Sequence, residues 1–105
     1  RFGVANIFGG SVIDIEEKPK SPKSNYCVTG LYLYDKKVWK IIDGLTPSKR
    51  GELEITDVNN KYVKLNDMDY SIVDGMWSDA GTPDSLALAT STILNTKLLQ
   101  SDLNV

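Results

Sequence analysis

A chain of 105 residues, 41% hydrophobic and 25% charged, with two Trp, five Tyr and two Phe, has the composition of one ordinary globular domain over 1–105 and excludes disorder, collagen-like repeats and disulfide scaffolds. Twelve basic against fourteen acidic residues give a net charge of −2, so no basic field is present to hold a nucleic acid or an anionic membrane. No run approaches the roughly 18 apolar residues of a membrane span and no leader opens the chain, which predicts a soluble, cytoplasmic protein.

The first residue is Arg1 rather than Met, and strand-like sequence follows at once, as in the interior of a longer protein. Phe2–Phe8 and Ser11–Glu16 are rich in β-formers and flank Gly9-Gly10, which predicts a hairpin. Lys18 to Asn25 holds two prolines and three lysines without an apolar anchor, and is expected to be an exposed loop whose lysines are mobile unless something binds them. Tyr26 to Tyr34 is nearly continuous in β-formers, which predicts a buried strand with the lone Cys27 packed in the core and a bulge or close ligand approach at Gly30.

Asp35 is placed to cap a helix over 36–42, ended by Gly44 and packed on the sheet. Leu53, Ile55, Val58, Tyr62 and Val63 have helical spacing, Met68–Val73 alternates as a strand, and Asp74-Gly75 turns. Thr82-Pro83-Asp84 starts a last helix running to about Leu99. Four or more strands among three helices give an α/β domain.

The absence of histidine excludes Ser-His-Asp and Cys-His nucleophiles and His-ligated zinc. Three groups of residues remain as candidates, each with a plainer reading beside it. Glu16-Glu17-Lys18-Pro19 ends a strand with acids beside a lysine that proline should hold extended; it could serve a sugar hydroxyl and a phosphate, or simply be a solvated strand end. Arg50 to Asp57 puts acids at a helix start, where capping and the macrodipole explain them by default. Trp77-Ser78-Asp79-Ala80-Gly81-Thr82 sets one acid among small residues after a strand, a place for Mg²⁺ or for a turn aspartate.

Taken in order, Glu17-Lys18-Pro19, Lys23 to Tyr32, Arg50 to Asn59 and Trp77 to Leu86 resemble the glucose-1-phosphate thymidylyltransferases, over nearly the whole chain. The resemblance implies a partial Rossmann-like nucleotidyltransferase sheet with flanking helices. It implies further that Glu17 accepts from the sugar hydroxyls, that Lys18 contacts the phosphate of glucose 1-phosphate, and that Val28 and Tyr32 line a sugar pocket kept open by Gly30. Asp79 would be a Mg²⁺ ligand with Trp77 beside it, and Arg50 would lie near the substrate. The implied reaction joins glucose 1-phosphate to dTTP, giving dTDP-glucose and pyrophosphate. The sugar phosphate arrives ionised, so no general base is required, in keeping with the missing histidine.

The family's glycine-rich Gly-x-Gly-Thr-Arg-Leu-x-Pro loop, its base-recognition segment and its first metal aspartate have no counterpart between Arg1 and Val105. The chain is therefore expected to be the C-terminal, sugar-binding portion of such an enzyme, inactive alone. The alternatives are a non-catalytic module that binds sugar phosphate or assembles with itself, and a small α/β domain that retains no binding. Unpaired strand edges in half a sheet predict a homo-oligomer.

Overall fold

A computed structural model describes residues 2–96. Strand β1 (Val4–Phe8) and strand β2 (Ser11–Glu16) form an antiparallel hairpin. Gly9 and Gly10 turn it with φ of 59° and 79°, a left-handed pair that side chains resist. The register slips between Asn6 and Ile7, leaving Ile13 as an extra residue on β2. That bulge has a use, because residues three apart on a regular strand face opposite sides. Here Val12 and Ile15 both reach the core beside Ala5.

Three helices follow, α1 (Lys37–Asp43), α2 (Ile55–Lys64) and α3 (Pro83–Leu94). Helix α2 organises the first part of the chain. Thr56, Asn60 and Val63 lie on one of its faces, and Val58 and Tyr62 on another, by the three- and four-residue spacing of a helix. Val63 joins the hairpin cluster of Ala5, Val12 and Ile15, while Val58 and Tyr62 pack with Val38 of α1. Met68 touches both clusters. Helix α1 thus packs on α2 rather than on the sheet as expected.

Two strand expectations fail. Residues 26–34 form no strand, only a single bridge, Val4 to Cys27, with Ala5 N–H donating to Tyr26 O and Val28 N–H to Gly3 O. A ladder needs a second backbone, and the described residues offer none beyond Val28, so β-rich sequence remains unpaired. Cys27 is consequently exposed rather than in the core. Residues 68–73 form no strand for the same reason.

The chain divides into two compact units, Arg1–Tyr70 and Ser71–Val105. In the second, Thr82 caps α3 as expected, through a reciprocal capping box with Ser85. The helix ends at Leu94; positions 97–99 of the expected helix lie outside the described residues. None of its residues is buried, so its start signal is its main local support. Thr82→Ala is expected to cost about 1 kcal/mol of α3 stability, read as lost helical circular dichroism on heating.

Candidate functional site

Strand β2 ends at Glu16, and the chain bends through Glu17 and Lys18. The two glutamates then take different partners: Glu16 pairs with Lys23 at 2.7 Å, and Glu17 accepts a hydrogen bond from the buried Thr56 hydroxyl at the start of α2. Lys23 is therefore held rather than mobile, and the Glu16 bond and charge raise its pKa. Lys18 sits at φ 43°, in the left-handed region, not in the extended form expected before a proline. The bend that turns the loop away from β2 imposes this, and such strain costs about 1–3 kcal/mol. Its ammonium stands 3.8 Å from the Glu17 carboxylate and remains about half exposed.

Ahead of α2, Arg50 clasps Glu54: Nη2 lies 2.8 and 2.9 Å from the two carboxylate oxygens, and Nε lies 3.1 Å from Oε1. Ser48 donates to the same carboxylate, and Glu52 stands 3.3 Å from the guanidinium. Glu54 occupies the N-cap position without a side-chain cap bond, so for Glu52 and Glu54 the capping account gives way to ion pairs with Arg50, while Asp57 in the first turn still suits the helix dipole. The Arg50 and Ser48 bonds hold Glu54 below the usual carboxylate range, against its burial, and the Glu54 bond raises Arg50. The charge of Glu17 is felt at Arg50 and that of Lys18 at Glu54, which brings the strand exit and this clasp into one electrostatic neighbourhood.

Gly3 forms the floor of that neighbourhood. A β-carbon there would lie 3.6 Å from the Thr56 hydroxyl and 3.7 Å from both Val28 and Ile15, so Val28 and Thr56 meet across it. Tyr32 stacks on Tyr34 at 5.9 Å, and Tyr34 on Tyr62 at 5.5 Å. Burial, and then the Glu17 charge, raises the Tyr32 phenol. Burial first, then Tyr32 and Tyr62, pushes Tyr34 up to about 12. At Gly30 a side chain would stand in open space.

The first unit therefore gathers Glu17, Lys18, Val28, Tyr32 and Arg50. It adds three residues that motif reading passed over: Thr56, Glu54 and Gly3. A hydroxyl one position inside a helix that follows an acid-rich loop is the signal that could have found Thr56. Trp77 and Asp79 belong to the second unit, on the irregular segment before α3. The Asp79 carboxylate lies over Gly81, where a β-carbon would come within 3.3 and 3.4 Å of its oxygens. Among the described residues no three of His, Cys, Asp and Glu could together hold a metal ion. Asp79 could offer a Mg²⁺ one carboxylate only, and the rest of such a shell would have to come from waters and substrate phosphates.

The described residues thus make a small α/β protein whose site combines carboxylates, an ammonium, a guanidinium and phenols, a donor set suited to a phosphorylated, hydroxyl-rich ligand. The nucleotidyl transferase family model matches residues 1–96, and the chain belongs to that family. It is 46% identical over 103 residues to glucose-1-phosphate thymidylyltransferase of Xanthomonas campestris pv. campestris (strain B100), covering 95% of this chain and 35% of that one. It is 38% identical over 94 residues to bifunctional protein GlmU of Methanococcus aeolicus, covering 89% of this chain and 23% of the relative. A Bacillus anthracis protein, crystallised with sucrose as a candidate glucose-1-phosphate thymidylyltransferase, superposes with a TM-score of 0.82 at 55% identity, over 92% of this chain and 39% of that one. The expected α/β, Rossmann-like nucleotidyltransferase class stands on that likeness. The chain spans about a third of the length of the curated thymidylyltransferases it matches. Among the described residues no helix is long and apolar enough to cross a membrane.

The clasp predicts an acid dependence. Because the folded pKa of Glu54 is lowered, its stabilising contribution is complete above the usual glutamate value of about 4.3 and disappears as pH falls through the folded value. An acid-unfolding titration should show the wild type losing more stability across that range than Glu54→Gln, which has no charge to lose.

Proposed function

We propose that this chain supplies the sugar-1-phosphate-binding part of a thymidylyltransferase that joins glucose 1-phosphate to dTTP. The observation that carries the proposal is the strand exit, where Thr56 orients the Glu17 carboxylate while the Lys18 ammonium beside it stays exposed. Glu17 accepts from the sugar hydroxyls, and Val28 and Tyr32 face the ring across the Gly3 floor, with Gly30 leaving room. Lys18 binds the sugar phosphate as a point charge. Arg50, already neutralised by Glu54, contributes through its remaining N–H donors. In the reaction an oxygen of the ionised sugar phosphate forms a bond to the α-phosphorus of dTTP, and the bond to the β-phosphate breaks with its electrons leaving on pyrophosphate. This chain's residues bind and orient the nucleophile, and none has to take a proton from it.

Asp79 would be the residue of this chain that holds Mg²⁺, and Trp77 would pack near it, as the family resemblance implies. When bound, that ion would neutralise phosphate charge. The triphosphate site is formed by sequence that 1–105 does not contain, so the isolated chain binds the sugar phosphate but does not turn over. By calorimetry, glucose 1-phosphate should bind the wild-type chain. Lys18→Ala should lose about 1.5–3 kcal/mol, the worth of a hydrogen bond to a charged group, and dTTP should bind weakly or not at all. Tight dTTP binding, or equal negligible heats for glucose 1-phosphate in wild type and variant, would overturn this reading.

One observation favours self-assembly as a second reading. Leu31 and Leu33 are 84% and 95% exposed on an extended segment that has no ladder partner among the described residues. An unpaired apolar edge of this kind pairs readily with another copy. Light scattering should then give a dimer or larger species, reduced to monomer by Leu33→Lys; a monomer at high concentration would exclude it.

A further inference from the structure

Helix α2 carries no residue that motif reading assigned to substrate, yet its polar side chains reach both walls of the candidate site. The free edge of β2 shows this most plainly. At Ile15 the backbone N–H donates to Asn60 Oδ1 at 2.9 Å, and the backbone C=O accepts from Asn60 Nδ2 at 2.8 Å. One carboxamide thereby satisfies both backbone groups of an edge residue, as a neighbouring strand would. Ile15 lies two residues before Glu17, so this clamp fixes the strand just where it delivers the carboxylate. Thr56, one helical turn earlier, holds the carboxylate itself.

The preceding residue, Asn59, is only 2% exposed and accepts from the Tyr34 hydroxyl at 2.6 Å. Tyr34 in turn carries Tyr32 in a nearly parallel stack, 15° between ring planes. Tyr62, on the same helix, closes the stack from the other side and donates to Asp35. Consecutive side chains of one helix thus grip two segments, the end of β2 and the stretch around Tyr34, the second of which meets the hairpin backbone only near Cys27.

We infer that Asn59 and Asn60 are positioning residues that set the distance between Glu17 and Tyr32, and so the width of the sugar pocket. This rests on the sugar-phosphate reading given above. The physical reason is that beyond Val28 this segment has no ladder, so the placement of Tyr32 and Tyr34 falls to side chains from a rigid helix. Both bonds are made by short, buried or half-buried amides with few rotamers, which suits placement better than long charged side chains.

The test uses the same 105-residue chain. Asn60→Leu removes both bonds to Ile15, Asn60→Asp keeps only the acceptor, and Tyr34→Phe frees Asn59 while keeping the ring stack. Ile41→Ala, which loosens the α1 packing against Val38, Val58 and Tyr62 without removing a hydrogen bond to Ile15 or Tyr34, is the stability control. For each variant the dissociation constant for glucose 1-phosphate is measured by calorimetry, Tm by circular dichroism, and the Ile15 amide by hydrogen exchange. Misplacement by about 1 Å can cost on the order of 100-fold at a well-organised site. We expect Asn60→Leu and Tyr34→Phe to raise the constant about tenfold or more, Asn60→Asp to fall between, and Ile41→Ala to leave it unchanged while lowering Tm as much. Loss of Ile15 protection in Asn60→Leu should accompany its weaker binding. Unchanged affinity in Asn60→Leu and Tyr34→Phe overturns the inference, as does equal weakening by Ile41→Ala. If the wild type binds no glucose 1-phosphate, the sugar-phosphate reading itself fails and takes the inference with it.

Discussion

Backbone groups at the edge of a two-stranded sheet must find partners, and the first unit is arranged around how that requirement is met. On one side of the hairpin the extended segment near Val28 lends a single bridge and two hydrogen bonds to Gly3 and Ala5. On the other side no strand is available among the described residues, and Asn60 takes both backbone groups of Ile15. The consequence is that α2 is tied to the sheet by directional bonds as well as by Val63, and its rotation about its own axis is set. With that rotation set, Thr56 meets Glu17, Asn59 meets Tyr34, and Val58 and Tyr62 receive α1.

Charge in this unit is arranged by pairing. Glu16 is committed to Lys23 and Glu54 to Arg50, and each of these pairs has donor and acceptor within direct bonding distance. Glu17 and Lys18 differ: their separation of 3.8 Å is long for a hydrogen bond, and Glu17 is anchored to a neutral hydroxyl instead. A carboxylate oriented by a hydroxyl keeps acceptor capacity for a ligand. An ammonium held loosely, on a strained residue at φ 43°, can move onto an anion without first breaking a short ion pair. The bland account of the strand end, a solvated pair of acids, does not explain a buried threonine devoted to one of them.

Much of this was legible along the chain, though unevenly. The hairpin, its Gly-Gly turn, the start of α3 at Thr82 and the end of α1 at Gly44 are local events in which neighbouring residues supply both the signal and the bonds. The candidate motifs stand out for a similar reason: Glu17-Lys18, Arg50 and Asp79 each sit in short stretches whose residue types are distinctive. The segment 26–34 was misread because β-propensity measures fit to a sheet, and the described residues provide no sheet for it to fit. The same gap leaves Cys27 outside and Leu31 and Leu33 exposed. Acids before α2 suit the helix macrodipole, which is the local signal; at Glu54 three charge-assisted bonds from Arg50 prevail over the helix amides.

By itself the sequence determined the class of the fold and the family, and marked Glu17, Lys18 and Arg50 as candidates, since these follow from composition and from contiguous motifs. Only the tertiary structure decided that Thr56, thirty-nine positions from Glu17, is that carboxylate's partner, and that two adjacent asparagines hold two different segments. Such pairings depend on how one helix is turned against one strand. That rotation is settled by the sum of packing and backbone satisfaction across the unit, and no stretch of consecutive residues records it.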